Sequence, residues 1–204
     1  MALVKYNNNS IANLTTPGQL AQGKMTLISE QTASGSASIS FTSGIDSTYP
    51  IYKFEFVNLH LSSESKVGFQ ASTNGGSSYG ITLTSTFFYS IHSENDTYTG
   101  LSYEGGSDLA QSTSDQIIHP STDGIDNDEN SCGEMYLFNP SSTTFVKHFM
   151  GKSNQNGSGG NNDFHNNYFA GYFNSTSALN AIIFRPASGN IDSGTIKLYG
   201  IKDS

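Results

Sequence analysis

The most suggestive chemistry in this sequence is the run Asp123-Gly124-Ile125-Asp126-Asn127-Asp128-Glu129-Asn130, since short oxygen-bearing side chains in one loop are what a hard cation such as Ca²⁺ takes. Counted from Asp126, positions one, three and five are Asp126, Asp128 and Asn130. Position six is Ser131 where the twelve-residue calcium loop needs glycine, and position twelve is Leu137 where it needs glutamate. A solvated acidic turn is therefore expected, with no cofactor; Ca²⁺ held by Asp126, Asp128 and Asn130 is the alternative. The five histidines, His60, His92, His119, His148 and His165, include no pair at i,i+2 or i,i+4, so no local ligand pair exists. Cys132 is the only cysteine, and nothing around Ser131-Cys132-Gly133 supplies a base to activate it. No His-Glu-x-x-His and no phosphate-cradling glycine loop is present, and no strand-to-helix serine elbow is expected. Paired carboxylates for glycoside hydrolysis would meet only in space. No enzymatic activity is expected.

Charge narrows the partners. The net charge is −8, Arg185 is the only arginine and no lysine run occurs, so the basic footprint of a nucleic-acid binder is missing. Charged residues make up 13% of the chain, against about a quarter in an average domain, and Ser, Thr, Asn and Gly take their place. The segment Met1-Ala2-Leu3-Val4-Lys5-Tyr6-Asn7 has no apolar stretch long enough for a signal peptide or a membrane span. Synthesis in a cytoplasm without an export signal, and no membrane partner, are the expectations. The sequons Asn13-Leu14-Thr15 and Asn174-Ser175-Thr176 then read as by-products of composition.

The elements that must carry any site have a two-residue period. In Ile51–Leu61 the residues Tyr52, Phe54 and Phe56 share one face and Lys53 and Glu55 the other, and the adjacent pair Phe56-Val57 marks a bulge, beyond which Val57, Leu59 and Leu61 take the buried role. Further strands are expected at Met25–Gln31, Ala37–Phe41, Lys66–Ser72, Ile81–His92, Met135–Asn139, Thr144–Met150, Tyr168–Phe173, Leu179–Phe184 and Thr195–Ile201. Turns separate them, with Thr73-Asn74-Gly75-Gly76 read as a hairpin. Glu94–Gly133 and Ser153–Asn167 read as long loops. The expected fold is all-β, a two-sheet antiparallel β-sandwich of jelly-roll type over residues 24–204. Residues 1–23 read as an extended arm, broken off by Thr16-Pro17-Gly18, in which Leu3, Val4, Tyr6, Ile11 and Leu14 would lie along a neighbour's surface. Phe87-Phe88-Tyr89, Tyr136-Leu137-Phe138 and Tyr168–Phe173 put rings on both faces of their strands, more than one core needs, so some rings should meet a second subunit or stack on sugar.

Four stretches, Met1–Ile11, Gln31–Tyr49, Tyr136-Leu137-Phe138-Asn139-Pro140-Ser141-Ser142 and Gly194-Thr195-Ile196-Lys197-Leu198-Tyr199-Gly200-Ile201, together resemble structural proteins of tailed bacteriophages, particularly marine phages and cyanophages. The resemblance implies a virion location, as a capsid decoration or cement protein or a tail or fibre component. It also implies a homo-oligomer, commonly a trimer, that contacts other virion proteins; no functional residue carries over. The alternative is a receptor-binding module that takes host surface glycans.

Overall fold

The computed structural model describes residues 25–120, 126–127, 129–157 and 163–202, and every regular element in it is a strand. The first six are β1 (Met25–Thr32), β2 (Ile39–Phe41), β3 (Ile51–Leu61), β4 (Val67–Ser72), β5 (Leu83–Ser93) and β6 (Thr99–Tyr103). The rest are β7 (Gln116–His119), β8 (Ser131–Phe138), β9 (Lys147–Gly157), β10 (Asp163–Phe173), β11 (Ala181–Pro186) and β12 (Ile191–Ile201). They make two antiparallel sheets packed face to face, one of eight strands in the order β1-β12-β3-β8-β9-β10-β5-β6 and one of four in the order β2-β11-β4-β7. The chain is thus the β-sandwich that its alternation predicts. Setting β5, β6, β9 and β10 aside leaves sheets β1-β12-β3-β8 and β2-β11-β4-β7, a jelly-roll arrangement of two four-stranded sheets. The four remaining strands are insertions that extend the first sheet beyond β8. They join each other along eleven residue pairs, from Asp163 opposite Ser93 to Phe173 opposite Leu83.

Phenylalanine rings hold the sheets together. Phe184 of β11 lies 5.3 Å from both Phe54 and Phe56 of β3, and Phe69 of β4 meets Phe149, Phe169 and Phe173 at 5.1–6.2 Å. Most of these contacts are edge-on, the geometry that the ring quadrupole favours. All seven of these side chains and Phe87 are 2% exposed or less, so the inserted strands share the same core as the jelly roll.

Several local expectations are corrected. The bulge in β3 spans Val57 and Asn58: pairing with β8 shifts between Phe56 and Leu59, and Asn58 adopts φ 50°. Val57 and Asn58 together stand opposite the single residue Cys132, so Phe56 and Leu59 both face inward while Val57 is 38% exposed and not buried. Thr73-Asn74-Gly75-Gly76 is a turn, with Gly75 and Gly76 at positive φ, but it carries the chain from the small sheet to the large one and does not form a hairpin. Glu94–Gly133 contains β6, β7 and the start of β8. Ser153–Asn167 is mostly strand, the ends of β9 and β10, and its polar residues are the reason it does not read as one. Ser153, Gln155 and Asn167 face inward; Asn167 Nδ2 donates to Ser153 Oγ at 3.1 Å, and Ser153 Oγ donates to the Ile118 carbonyl of β7. The proposed arm, with Leu3, Val4, Tyr6, Ile11 and Leu14, lies outside the described residues.

Candidate functional site

The small sheet covers one face of the large sheet, and the opposite face turns outward. On it, one row of directly opposed residues crosses all eight strands: Glu30, Lys197, Glu55, Glu134, Lys152, Tyr168, Phe88 and Tyr103. The row is charged over β1-β12-β3-β8-β9 and aromatic over β10-β5-β6. Opposed glutamates repel, and Lys53, one residue pair away on the same face, reaches both: its Nζ lies 2.9 Å from Glu55 Oε1 and 2.9 Å from Glu134 Oε2. Lys152 adds a 3.4 Å contact to Glu134. Burial alone would push the Lys53 ammonium down, but its hydrogen bonds to Glu134 and Glu55 outweigh this and hold it above the ordinary lysine range. The hydrogen bond from Lys53 holds the Glu134 carboxyl below the usual glutamate range. Glu55 and Glu134 are therefore a spatial carboxylate pair bridged by one lysine, in which Glu134 is held in its ionised form.

The aromatic half is solvent-facing. Phe88 stacks on Tyr168 at 5.0 Å with an interplanar angle of 11°, and Tyr136 stacks on Phe138, so these last two rings share one face of β8 where rings on both faces were expected. Leu101 is 74% exposed, Tyr103 57%, Met150 53%, Phe164 48% and Phe88 42%. Tyr103 is braced by its hydroxyl, which donates to Asp108 Oδ2 at 2.5 Å. Between the two halves, beside the β3 bulge, a cleft of about 490 Å³ is lined by Glu55, Glu134, Lys152, Asn154, Phe164 and Tyr168. Its volume lies within the range of small-molecule sites.

The residues singled out from sequence do not converge here. Asp126 is exposed, its N–H donates to Glu129 Oε2 at 3.0 Å, and its carbonyl lies 3.1 Å from His60 Nε2; Asn130 is half-buried, and Asp128 lies outside the described residues. Among the described residues no group of three or more His, Cys, Asp or Glu is arranged to hold a metal ion. His60 pairs with Asp192 at 2.8 Å, His92 with Asp96 at 3.2 Å, and His119 is buried. Cys132 lies at the cleft, where its Sγ accepts from Asn58 N–H at 3.3 Å and donates to Asn58 Oδ1 at 3.4 Å. One Gly-x-Ser-x-Gly string exists, Gly76-Ser77-Ser78-Tyr79-Gly80, yet it runs through the turn between β4 and β5. Ser78 Oγ there accepts from Asn74 Nδ2 at 2.9 Å, and no helix follows. Lys53 and Glu55 were detectable in sequence only as the polar positions of an alternating strand, and Glu134 and Lys152 lie just outside the expected strands Met135–Asn139 and Thr144–Met150. Compared with known proteins, the chain matches no family model, no curated protein and no solved structure.

Proposed function

We propose that the chain is a non-enzymatic structural component of a tailed-phage virion, a capsid decoration or cement protein or a tail or fibre protein. In this reading it assembles as a homo-oligomer through the aromatic half of the outer face, and residues 1–23 anchor it to other virion proteins. The observation that carries the reading is the run of solvent-facing apolar side chains Phe88, Leu101, Tyr103, Met150, Phe164 and Tyr168 on the strands added to the jelly roll. Contiguous exposed apolar patches rimmed by polar groups mark interaction surfaces, and a low-charge face opposes little repulsion between copies. The phage resemblance supports the particle as the setting, and jelly rolls serve in capsids by analogy of fold alone. Cryo-EM of the virion tests it: density for the chain is expected at lattice or tail positions, lost when residues 1–23 are deleted from an otherwise folded protein. Absence of the chain from purified virions, or full incorporation without the arm, overturns it.

The cleft favours a second reading, attachment to host glycans. Tyr168 and Phe164 offer ring faces to sugar C–H groups, while Glu55, Glu134, Asn154 and Asn166 offer hydrogen-bond partners to hydroxyls. Competition between the soluble protein and phage for cells would favour this reading over a purely cementing role.

A further inference from the structure

The four sheet edges are finished in different ways. β1 carries Glu30 and a register break between Leu27 and Ser29, and β2 and β7 are only three and four residues long. Charge, irregularity and shortness are the usual protections against pairing with another chain. β6 has the sequence Thr99-Gly100-Leu101-Ser102-Tyr103, with no charge, no proline and no register shift.

Its backbone has a definite polarity. Ser93 N–H donates to the Tyr98 carbonyl at 2.9 Å and Glu104 N–H donates to the Phe87 carbonyl at 3.0 Å. Hydrogen-bonded pairs alternate along an antiparallel ladder. Gly100 and Ser102 therefore turn their N–H and C=O groups toward β5, while Thr99, Leu101 and Tyr103 turn theirs away from it. The other half of the β5 edge is sealed by the chain that follows: Leu83 and Ser112 exchange hydrogen bonds of 2.8 and 3.0 Å, and Ser85 N–H donates to the Leu109 carbonyl. Among the described residues, no strand adjoins the outer side of β6.

We propose that two copies of this chain pair β6 to β6, antiparallel, about a two-fold axis through Leu101, fusing two eight-stranded sheets into one. The register is self-complementary, as a two-fold interface requires: Leu101 stands opposite Leu101 of the second copy, and Thr99 opposite its Tyr103. These are the residues whose backbone groups point outward, and they form about six hydrogen bonds across the seam. Their side chains share the outer face with Phe88 and Tyr168, so the apolar strip runs unbroken across the junction. An uncharged seam is also what self-pairing demands of a chain whose net charge is −8. The proposal rests on the reading of the chain as an assembling protein and names one partner; a two-fold contact of this kind adds to any three-fold one.

Sedimentation equilibrium of the full chain, with cross-linking in a Cys132→Ser background, tests it. A concentration-dependent dimer is expected, weakened on the order of tenfold by Leu101→Pro, which removes one outward N–H from each copy and is tolerated on an edge strand. Leu101→Lys, which opposes two ammonium groups, weakens it in the same direction should the proline variant not fold. Leu101→Cys should form a disulfide-linked dimer, because directly opposed residues of this class lie about 5.5 Å apart. Thr99→Cys alone should not, whereas Thr99→Cys mixed with Tyr103→Cys should. A monomer at all concentrations, a dimer indifferent to Leu101→Pro and Leu101→Lys, or a dimer lost on deleting residues 1–23 with no Leu101→Cys cross-link overturns the proposal, the last by making the arm the occupant. A dimer that persists in a protein absent from virions would sink the virion reading and leave the β6 pairing standing.

Discussion

Lys53 is the residue on which the outer face turns. It is 9% exposed, and it reconciles two glutamates that the strand register sets opposite each other. Removing one partner of a largely buried ion pair leaves uncompensated charge, which costs more than the pair itself contributes. Lys53→Met is therefore expected to destabilise the fold by about 2 kcal/mol, read as a lower urea midpoint at unchanged slope. Glu134→Gln in the same background should recover part of the loss, since it removes one of the two stranded carboxylates. At this scale the sequence was only half legible. Lys53 and Glu55 announce a polar face of β3, but Glu134 is 79 positions further along than Glu55, and their opposition depends on which strands pair and in what register, which the pattern leaves open. The acidic run at Asp123–Asn130 is conspicuous because its members are adjacent in sequence. The outer-face cluster is inconspicuous because its members come from three strands.

Among elements, β3 shows how far periodicity reaches. Its alternation fixes which residues face the core before and after the irregularity, and the structure agrees for Tyr52, Phe54, Phe56, Leu59 and Leu61. It misses Val57, because an adjacent apolar pair signals a change of phase without saying which residue is the extra one. The opposing strand accommodates the bulge with Gly194, at φ 104°, where an added Cβ would sit 2.4 Å from the Asn58 carbonyl oxygen. Gly194→Ala meets both a forbidden backbone region and a backbone atom that cannot step aside. A loss of about 2–3 kcal/mol is expected, with a thermal midpoint lowered accordingly; an unchanged midpoint would show that β12 can shift freely at this point. The ends of β9 and β10 escaped detection for the opposite reason. Their inward residues are Ser153, Gln155 and Asn167, so burial is achieved by amides and hydroxyls, and no apolar alternation marks the strands.

For the whole molecule, the fold class was readable because it needs only the period and the spacing of turns, whereas the division into jelly roll and insertions depends on which strands pair. The entire sandwich also shares one response to acid. Burial pushes the His119 imidazole down from 6.5 to about 3, so between these values the unfolded chain binds a proton that the folded one does not. Glu134, held below its ordinary 4.5 by Lys53, acts with the same sign from that pH downward. The contribution of these groups is therefore complete above pH 6.5 and is lost as pH drops toward 3, by at most about 1.4 kcal/mol per pH unit for each. Urea midpoints between pH 8 and 4 should show the decline, and His119→Gln should shrink it above pH 4.5 to the part that His165, also lowered by burial, supplies, while leaving the fall below. A profile identical to that of the parent would remove His119 from the explanation. The place of β12 between β1 and β3 has a further consequence, for synthesis. Until that strand leaves the ribosome, after every other described strand, both of its neighbours present open edges toward each other with nothing to join them. The nascent chain therefore stays partly paired until its last described strand emerges, with open edges of the kind that invite wrong partners.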